Sequence, residues 1–241
     1  MNPGAPASVT AVIAAAGSGE RLGAGGPKAF VHLAGRPMVE WSIEAFRAAG
    51  VAAVVVAVPP GHSYEPAVVE PHGADTPEAP LEVRVLAGGE TRSASVSNAL
   101  EAVETELVAI HDAARPLLTA ELVRGVVGTL SADPEAAGAI AAAPLTDTVK
   151  RADGAGNAAL VVEETVDRAE LWAAQTPQAF RVEALREALA GDDERAAATD
   201  EAMLVEAAGG RVLIHPVEAE NIKVTTALDF RVAEQLLAGR G

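Results

Sequence analysis

The chain has no cysteine. That removes thiol nucleophiles, thiolate metal sites and disulfides, and it agrees with a reducing compartment. Lysine is nearly absent: Lys28, Lys150 and Lys223 are the only three, against fifteen arginines. Such a bias fits a GC-rich genome, so the lysines that persist against it are worth following. Positive charge is scarce overall. With 18 basic and 34 acidic residues the net charge is −16 and the pI about 4.7. No basic stripe exists, which argues against general nucleic-acid binding. An acidic enzyme can still bind a polyanion where its few cations converge. No basic residue precedes Arg21, so the N-terminus does not read as a signal peptide. The longest strongly apolar run, "VAAVVVAV", is far below a membrane span. The expectation is a soluble cytoplasmic protein with no membrane or nucleic-acid partner. Familiar base and nucleophile motifs are missing too: there is no G-x-S-x-G, no H-E-x-x-H, and only five scattered histidines.

What is present is a core. The 241 residues are 49% apolar, enough for one globular domain over 1–241. Apolar β-branched runs alternate with helical patterns. "VTAVIAAAG", "VAAVVVAVPP", "LEVRVLAGG", "LVAIHDAARP", "AGAIAAAP" and "RVLIHPV" read as strands, the second buried on both faces. "MVEWSIEAFRAAG", "RSASVSNALEAV", "TAELVRGVVGTL", "VEALREALAG", "TDEAMLVEAAGG" and "TTALDFRVAEQLLAGR" read as helices, with Gly50 stopping the first and Thr199 capping the fifth. This rhythm predicts an α/β fold with a doubly wound, mostly parallel sheet. It lapses after Thr146. Residues 146–170 are polar and turn-rich and predict an extended arm, with short strands around Asp153-Gly154 and Gly156-Asn157.

After the first strand comes "AAAGSGERLGAGGPK". Gly17, Gly19 and Gly23 follow G-x-G-x-x-x-G. A dinucleotide fingerprint needs G-x-G-x-x-G and a carboxylate closing strand two; here Leu22 holds the third glycine position and strand two ends "VAVPPG". A P-loop needs G-K-[ST], whereas Lys28 stands between Pro27 and Ala29. What remains is a loop whose backbone N–H groups can face phosphates, carrying two cations, Arg21 and Lys28. An ordinary βα turn with solvated charges is the alternative.

The loop, of the form G-x-G-x-R followed by P-K, resembles that of sugar-nucleotide-type nucleotidyltransferases. With "GGETRSASVSNAL", "IHDAARPLL", "AAQTPQAF" and "TDEAMLVE" in the same order, the chain resembles the 2-C-methyl-D-erythritol 4-phosphate cytidylyltransferase family over Val9 to Ala233. The resemblance implies a Rossmann-like domain and an arm that makes a homodimer. It implies Mg²⁺-dependent transfer of CMP from CTP to a polyol phosphate in the non-mevalonate isoprenoid pathway. By position, Arg21, Lys28 and Lys223 would be catalytic. Ala15, Ala16, Gly17, Gly19, Gly89, Glu90, Ser95 and Ala113 would hold the nucleotide. Arg115, Thr148, Arg168, Thr176 and Thr199 would hold the second substrate, Thr148 and Arg168 reaching from the neighbouring subunit's arm. Asp112 would meet the metal. The segment before Lys223 is shorter than the family pattern and lacks its glycine, and Ala227 replaces a usual proline.

The chemistry suits the residues. A phosphate monoester has a second pKa of about 6 and is already a good nucleophile at neutral pH. No base is required; the obstacle is two anions meeting, which positioned cations relieve. Without the resemblance Asp112 reads first as a surface turn aspartate, and His111 beside it as a packed or hydrogen-bonded side chain. A ribitol 5-phosphate or related polyol-phosphate cytidylyltransferase would share the loops. A non-catalytic nucleotide-binding protein should have lost Arg21, Lys28 or Asp112, and all three are present. An NAD-dependent reductase is disfavoured by Leu22 and the strand-two ending.

Overall fold

A computed structural model describes residues 8–17, 26–66, 81–153, 159–191, 198–218 and 220–239. In chain order they form β1 (Val9–Ala14), a single 3-10 turn (Lys28–Phe30), β2 (His32–Leu33), β3 (Arg36–Pro37), α1 (Met38–Ala49), β4 (Ala53–Val58) and β5 (Glu82–Ala87). Then come α2 (Arg92–Leu100), β6 (Leu107–Asp112), α3 (Ala120–Ser131), β7 (Gly138–Pro144), β8 (Val149–Asp153) and β9 (Val161–Val166). β10 (Trp172–Arg181), α4 (Val182–Ala190), α5 (Glu201–Ala207), β11 (Val212–Pro216) and α6 (Ala227–Ala238) complete the order.

Seven strands make one sheet in the order β11-β7-β10-β6-β1-β4-β5. All neighbours pair in parallel except β10, which is antiparallel to both β6 and β7. The sheet is buried on both faces because its parallel strands β1, β4 and β6 are apolar along most of their length, not at alternate positions. Ile13, Val54, Val56 and Ala109 face one side, where α1 and α3 pack Ile43, Phe46, Val126 and Leu130. Val12, Val55, Val108 and Ile110 face the other, against Val96 and Leu100 of α2 and Leu185 of α4. Gly50 ends α1 in the left-handed region at φ 83°, as its place after the last apolar turn predicts. α6 closes a smaller core of Leu33, Met38, Leu117 and Val224. Its first turn carries a capping box between Thr226 and Asp229.

Two features depart from the sequence expectation. The polar run "AAQTPQAF" carries no strand signal, yet it lies inside β10, between β6 and β7. Its register breaks between Ala174 and Gln178, around the cis Thr176–Pro177 bond. Thr176 bonds His111 and the Asp112 N–H, and Gln178 Nε2 bonds Asp200, partners that the local pattern cannot disclose. The fifth helix is capped by Asp200 rather than Thr199: Asp200 accepts from the Met203 N–H at 3.0 Å, and Thr199 stands exposed one residue earlier. The arm is a two-stranded antiparallel hairpin of β8 and β9. Its expected strand near Gly156-Asn157 lies outside the described residues; β9 begins at Val161 instead.

Candidate active site

From β1 the chain runs outward through β4 and β5, then crosses back to β6 on the other side of β1. The crossing leaves a crevice beyond the strand ends, where open α/β sheets bind ligands. A cleft of about 520 Å³ occupies it, walled by the turn after β1, the loop entering α2 and the end of β6. Of the residues proposed from sequence, Ala15, Ala16, Gly17, Lys28, Gly89, Glu90, Ser95, Asp112, Ala113 and Lys223 line this one cleft. Gly19 and Arg21 lie outside the described residues.

The cleft walls are set by backbone bonds. The Ala15 N–H donates to Ala57 O at 2.9 Å, and the Ala113 N–H to Ala14 O at 3.2 Å. These two residues therefore form wall, with their amides spent on the sheet. Gly89 donates its N–H to Ser95 Oγ at 3.0 Å, and Ser95 Oγ donates to Thr91 O at 2.9 Å. Ser95 thus folds the loop from within, with its hydroxyl engaged there. Glycine is required here by space: a Cβ on Gly88 would stand 2.7 Å from Ser95 Oγ, and one on Gly89 2.5 Å from the Ala94 Cβ. The loop ends at the N-terminus of α2, capped by Thr91, so the positive end of a helix dipole also faces the cleft. Lys28 enters on the 3-10 turn, anchored by buried Ala29 and by Phe30, whose ring packs on His62 and Tyr64 at 4.3 and 5.0 Å.

Asp112 is the only carboxylate of β6 and ends it inside the cleft. Arg92 Nε donates to its Oδ1 at 2.9 Å and Lys223 Nζ to its Oδ2 at 2.7 Å. Burial alone would raise its pKa; the two cations outweigh burial and hold the carboxyl far below the usual range. Lys223 arrives because its segment is stitched to the strand end. Val224 N–H donates to Ala114 O at 2.8 Å, Arg115 Nη1 to Asn221 O at 2.7 Å, and Asn221 Nδ2 to Thr176 O at 2.7 Å. The shortened loop therefore still delivers its lysine.

His111 lies fully buried behind Asp112. Its Nε2 contacts Arg115 O at 3.1 Å, and a carbonyl can only accept, so Nε2 carries the proton. Nδ1 then accepts from Thr176 Oγ1 at 3.0 Å, and Thr176 Oγ1 in turn accepts from the Asp112 N–H at 3.1 Å. Burial, with the nearby Arg115 and Arg92 charges, lowers the imidazole pKa to about 4. His111 is a neutral spacer behind the aspartate.

Several proposed second-substrate residues do not line this cleft. The Thr176 hydroxyl is buried in the His111 network. Arg115 is turned onto the Asn221 carbonyl. Thr199 is exposed ahead of α5. Thr148 and Arg168 stand exposed at the foot of the arm, where Arg168 Nη1 donates to Thr146 O. Conversely, sequence reasoning passed over Arg92 and Glu201, an ion pair beside Asp112 in which the carboxylate is buried and the guanidinium half-buried at the cleft. One signal was available: Arg92 is the first residue of α2, where a positive charge opposes the helix dipole and needs a tertiary reason.

Among the described residues no group of three or more His, Asp or Glu side chains could hold a metal ion. Asp112 alone suits Mg²⁺, which takes one or two carboxylates and draws its other ligands from water and phosphate oxygens.

The family model described as IspD, 2-C-methyl-D-erythritol 4-phosphate cytidylyltransferase, matches residues 9–239. A protein of that name from Ralstonia nicotianae is 42% identical, over 95% of this chain and 91% of the relative. One from Nocardia farcinica is 42% identical, over 97% of this chain and 95% of the relative. The crystal structure of the 2-C-methyl-D-erythritol 4-phosphate cytidylyltransferase of Thermus thermophilus superposes with a TM-score of 0.72 at 36% identity, covering 96% of this chain and 99% of that one.

Proposed function

The chain belongs to the 2-C-methyl-D-erythritol 4-phosphate cytidylyltransferase family, and from that premise we propose how its cleft performs the transfer. The enzyme transfers the cytidylyl group of CTP to 2-C-methyl-D-erythritol 4-phosphate, releasing pyrophosphate, a step of isoprenoid biosynthesis. A phosphate oxygen of the methylerythritol phosphate attacks the α-phosphorus of CTP. The bond to the bridging oxygen breaks, and its electron pair leaves with pyrophosphate. The nucleophile is already ionised, so the protein's task is to hold two anions in line and offset the charge that moves to the leaving group.

The observation that carries this reading is the convergence of Lys28, Lys223 and Asp112 in one cleft at the sheet's crossing point. Lys28 and Lys223 supply positive charge on either side of the α-phosphate, with Arg21 as a third cation. The loop at Gly89 and Glu90 receives the cytosine. Asp112 would hold Mg²⁺, which would supply further positive charge to offset that of the phosphates. The Lys223 contact on Asp112 Oδ2 opens as the phosphates enter, releasing the ammonium toward them.

The second substrate needs more than this cleft. Thr148 and Arg168 sit on an arm whose Leu160, Val161 and Val162 are largely exposed, at 73, 63 and 57%. An arm with that much apolar surface suits a homodimer in which each arm reaches the other subunit's cleft. No described helix is long and apolar enough to cross a membrane, and we place the enzyme in the cytoplasm. Pyrophosphate release from CTP with 2-C-methyl-D-erythritol 4-phosphate, set against ribitol 5-phosphate, tests the reading. Turnover only with ribitol 5-phosphate would overturn it.

A further inference from the structure

Glu201 opens α5 and is completely buried. Its Oε2 accepts from Arg92 Nη1, while Arg92 Nε donates to Asp112 Oδ1 at 2.9 Å. One guanidinium thus joins carboxylates from two separate elements, using a different nitrogen for each. Burial pushes the Glu201 carboxyl up, and the Arg92 charge opposes that rise. Replacing such a pair by apolar side chains is often neutral or stabilising, so its presence points away from stability alone.

Arg92 lines the cleft beside Lys28 and Lys223. An entering triphosphate competes with Asp112 for that guanidinium. Held by Asp112 alone, Arg92 could turn to the phosphates. Held also by Glu201, it could do so only by leaving a carboxylate unpaired in the interior, which is strongly unfavourable. The start of α5 is itself fixed: Asp200 Oδ2 accepts from Gln178 Nε2 of β10 at 2.8 Å.

We propose that Glu201 is a positioning residue for cytidylyl transfer: it locks Arg92, and Arg92 fixes the Oδ1 side of Asp112, leaving Lys223 on Oδ2 as the partner that exchanges when substrates bind. This rests on the reading of the cleft as the transfer site. It also ties the helix after Thr199 to the carboxylate that ends β6, so α5 and Asp112 are coupled through one guanidinium.

Glu201→Gln tests it, because the amide keeps the shape and an accepting oxygen but not the charge. A charge-assisted bond degraded to a neutral one should lower kcat about tenfold, with KM for CTP within about threefold. The melting temperature should move little. Because Glu201 acts through Arg92, the double variant with Arg92→Lys should be no slower than Arg92→Lys alone, within about twofold. A wild-type kcat with a lowered melting temperature would make Glu201 merely structural and overturn the proposal. So would losses that multiply in the double variant. Should Glu201→Gln fail to fold, Arg92→Lys carries the test: reduced kcat with retained KM for CTP supports the lock, and wild-type kcat overturns it. Absence of wild-type turnover would instead overturn the reading of the cleft, and this inference with it.

Discussion

Lys223 Nζ lies 2.7 Å from Asp112 Oδ2, across 111 residues of sequence. The contact sets a resting state in which the cleft's carboxylate and one of its cations neutralise each other. Lys28 lines the same cleft from the 3-10 turn after β1. Lys28→Ala should lower kcat by roughly 10²–10³, the range for losing one donor to transition-state charge, with the melting temperature unchanged. Lys223→Ala should also lower kcat. It should in addition return the Asp112 pKa toward ordinary carboxylate values, because one of its two cations is gone. Steady-state kinetics decide the first point. A Lys28→Ala variant within threefold of wild type would remove that residue from the chemistry.

The neutral His111 makes stability depend on pH. Its folded pKa of about 4 lies below the unfolded value near 6.5. Between those values the unfolded chain binds a proton that the native one does not. Its contribution is therefore complete above pH ~6.5 and is lost as pH falls toward about 4. A shift of that size corresponds to at most about 3 kcal/mol. Urea unfolding of the metal-free protein should show midpoints that decline through this window. NMR of the imidazole should report the Nε2-protonated neutral ring throughout it. Titration of His111 near 6.5 would contradict the buried network.

Gly89→Ala should damage nucleotide binding more than folding. The added methyl would stand 2.5 Å from the Ala94 Cβ and 3.1 Å from its backbone carbon, so the loop must shift. Ser95 would lose its 3.0 Å bond from the Gly89 N–H. We expect the Kd for CTP to rise by about tenfold or more, taking that bond as about 1–1.5 kcal/mol plus strain. Calorimetric titration with CTP measures it, and wild-type affinity would show that the loop yields freely.

Arg168→Ala and Lys28→Ala should each be strongly impaired as pure proteins and, in the proposed homodimer, regain part of their activity on mixing. In a heterodimer one cleft keeps its own Lys28 and receives an intact partner arm. Mixing that restores nothing, despite demonstrated subunit exchange, would sink the shared site.

The strands and helices of the parallel sheet were legible because their signals are local. Continuous runs of valine, isoleucine and alanine specify strands buried on both faces, and caps and glycines close the helices. β10 was not legible: Thr176 and Gln178 look like part of a turn until their partners His111 and Asp200 are known. The same division runs through the site. Sequence by itself singled out a glycine loop with two cations, a strand-terminal aspartate and a late lysine as the candidates for a phosphate chemistry that needs no general base. Only the tertiary structure decided that Lys223 reaches Asp112 and that Thr176 turns inward to His111. It alone set Arg92 between Asp112 and Glu201. Those facts are pairings between charges and hydrogen-bonding groups far apart in the chain, and the energy that selects them arises because burial strips water from Asp112, His111 and Glu201, which then need partners.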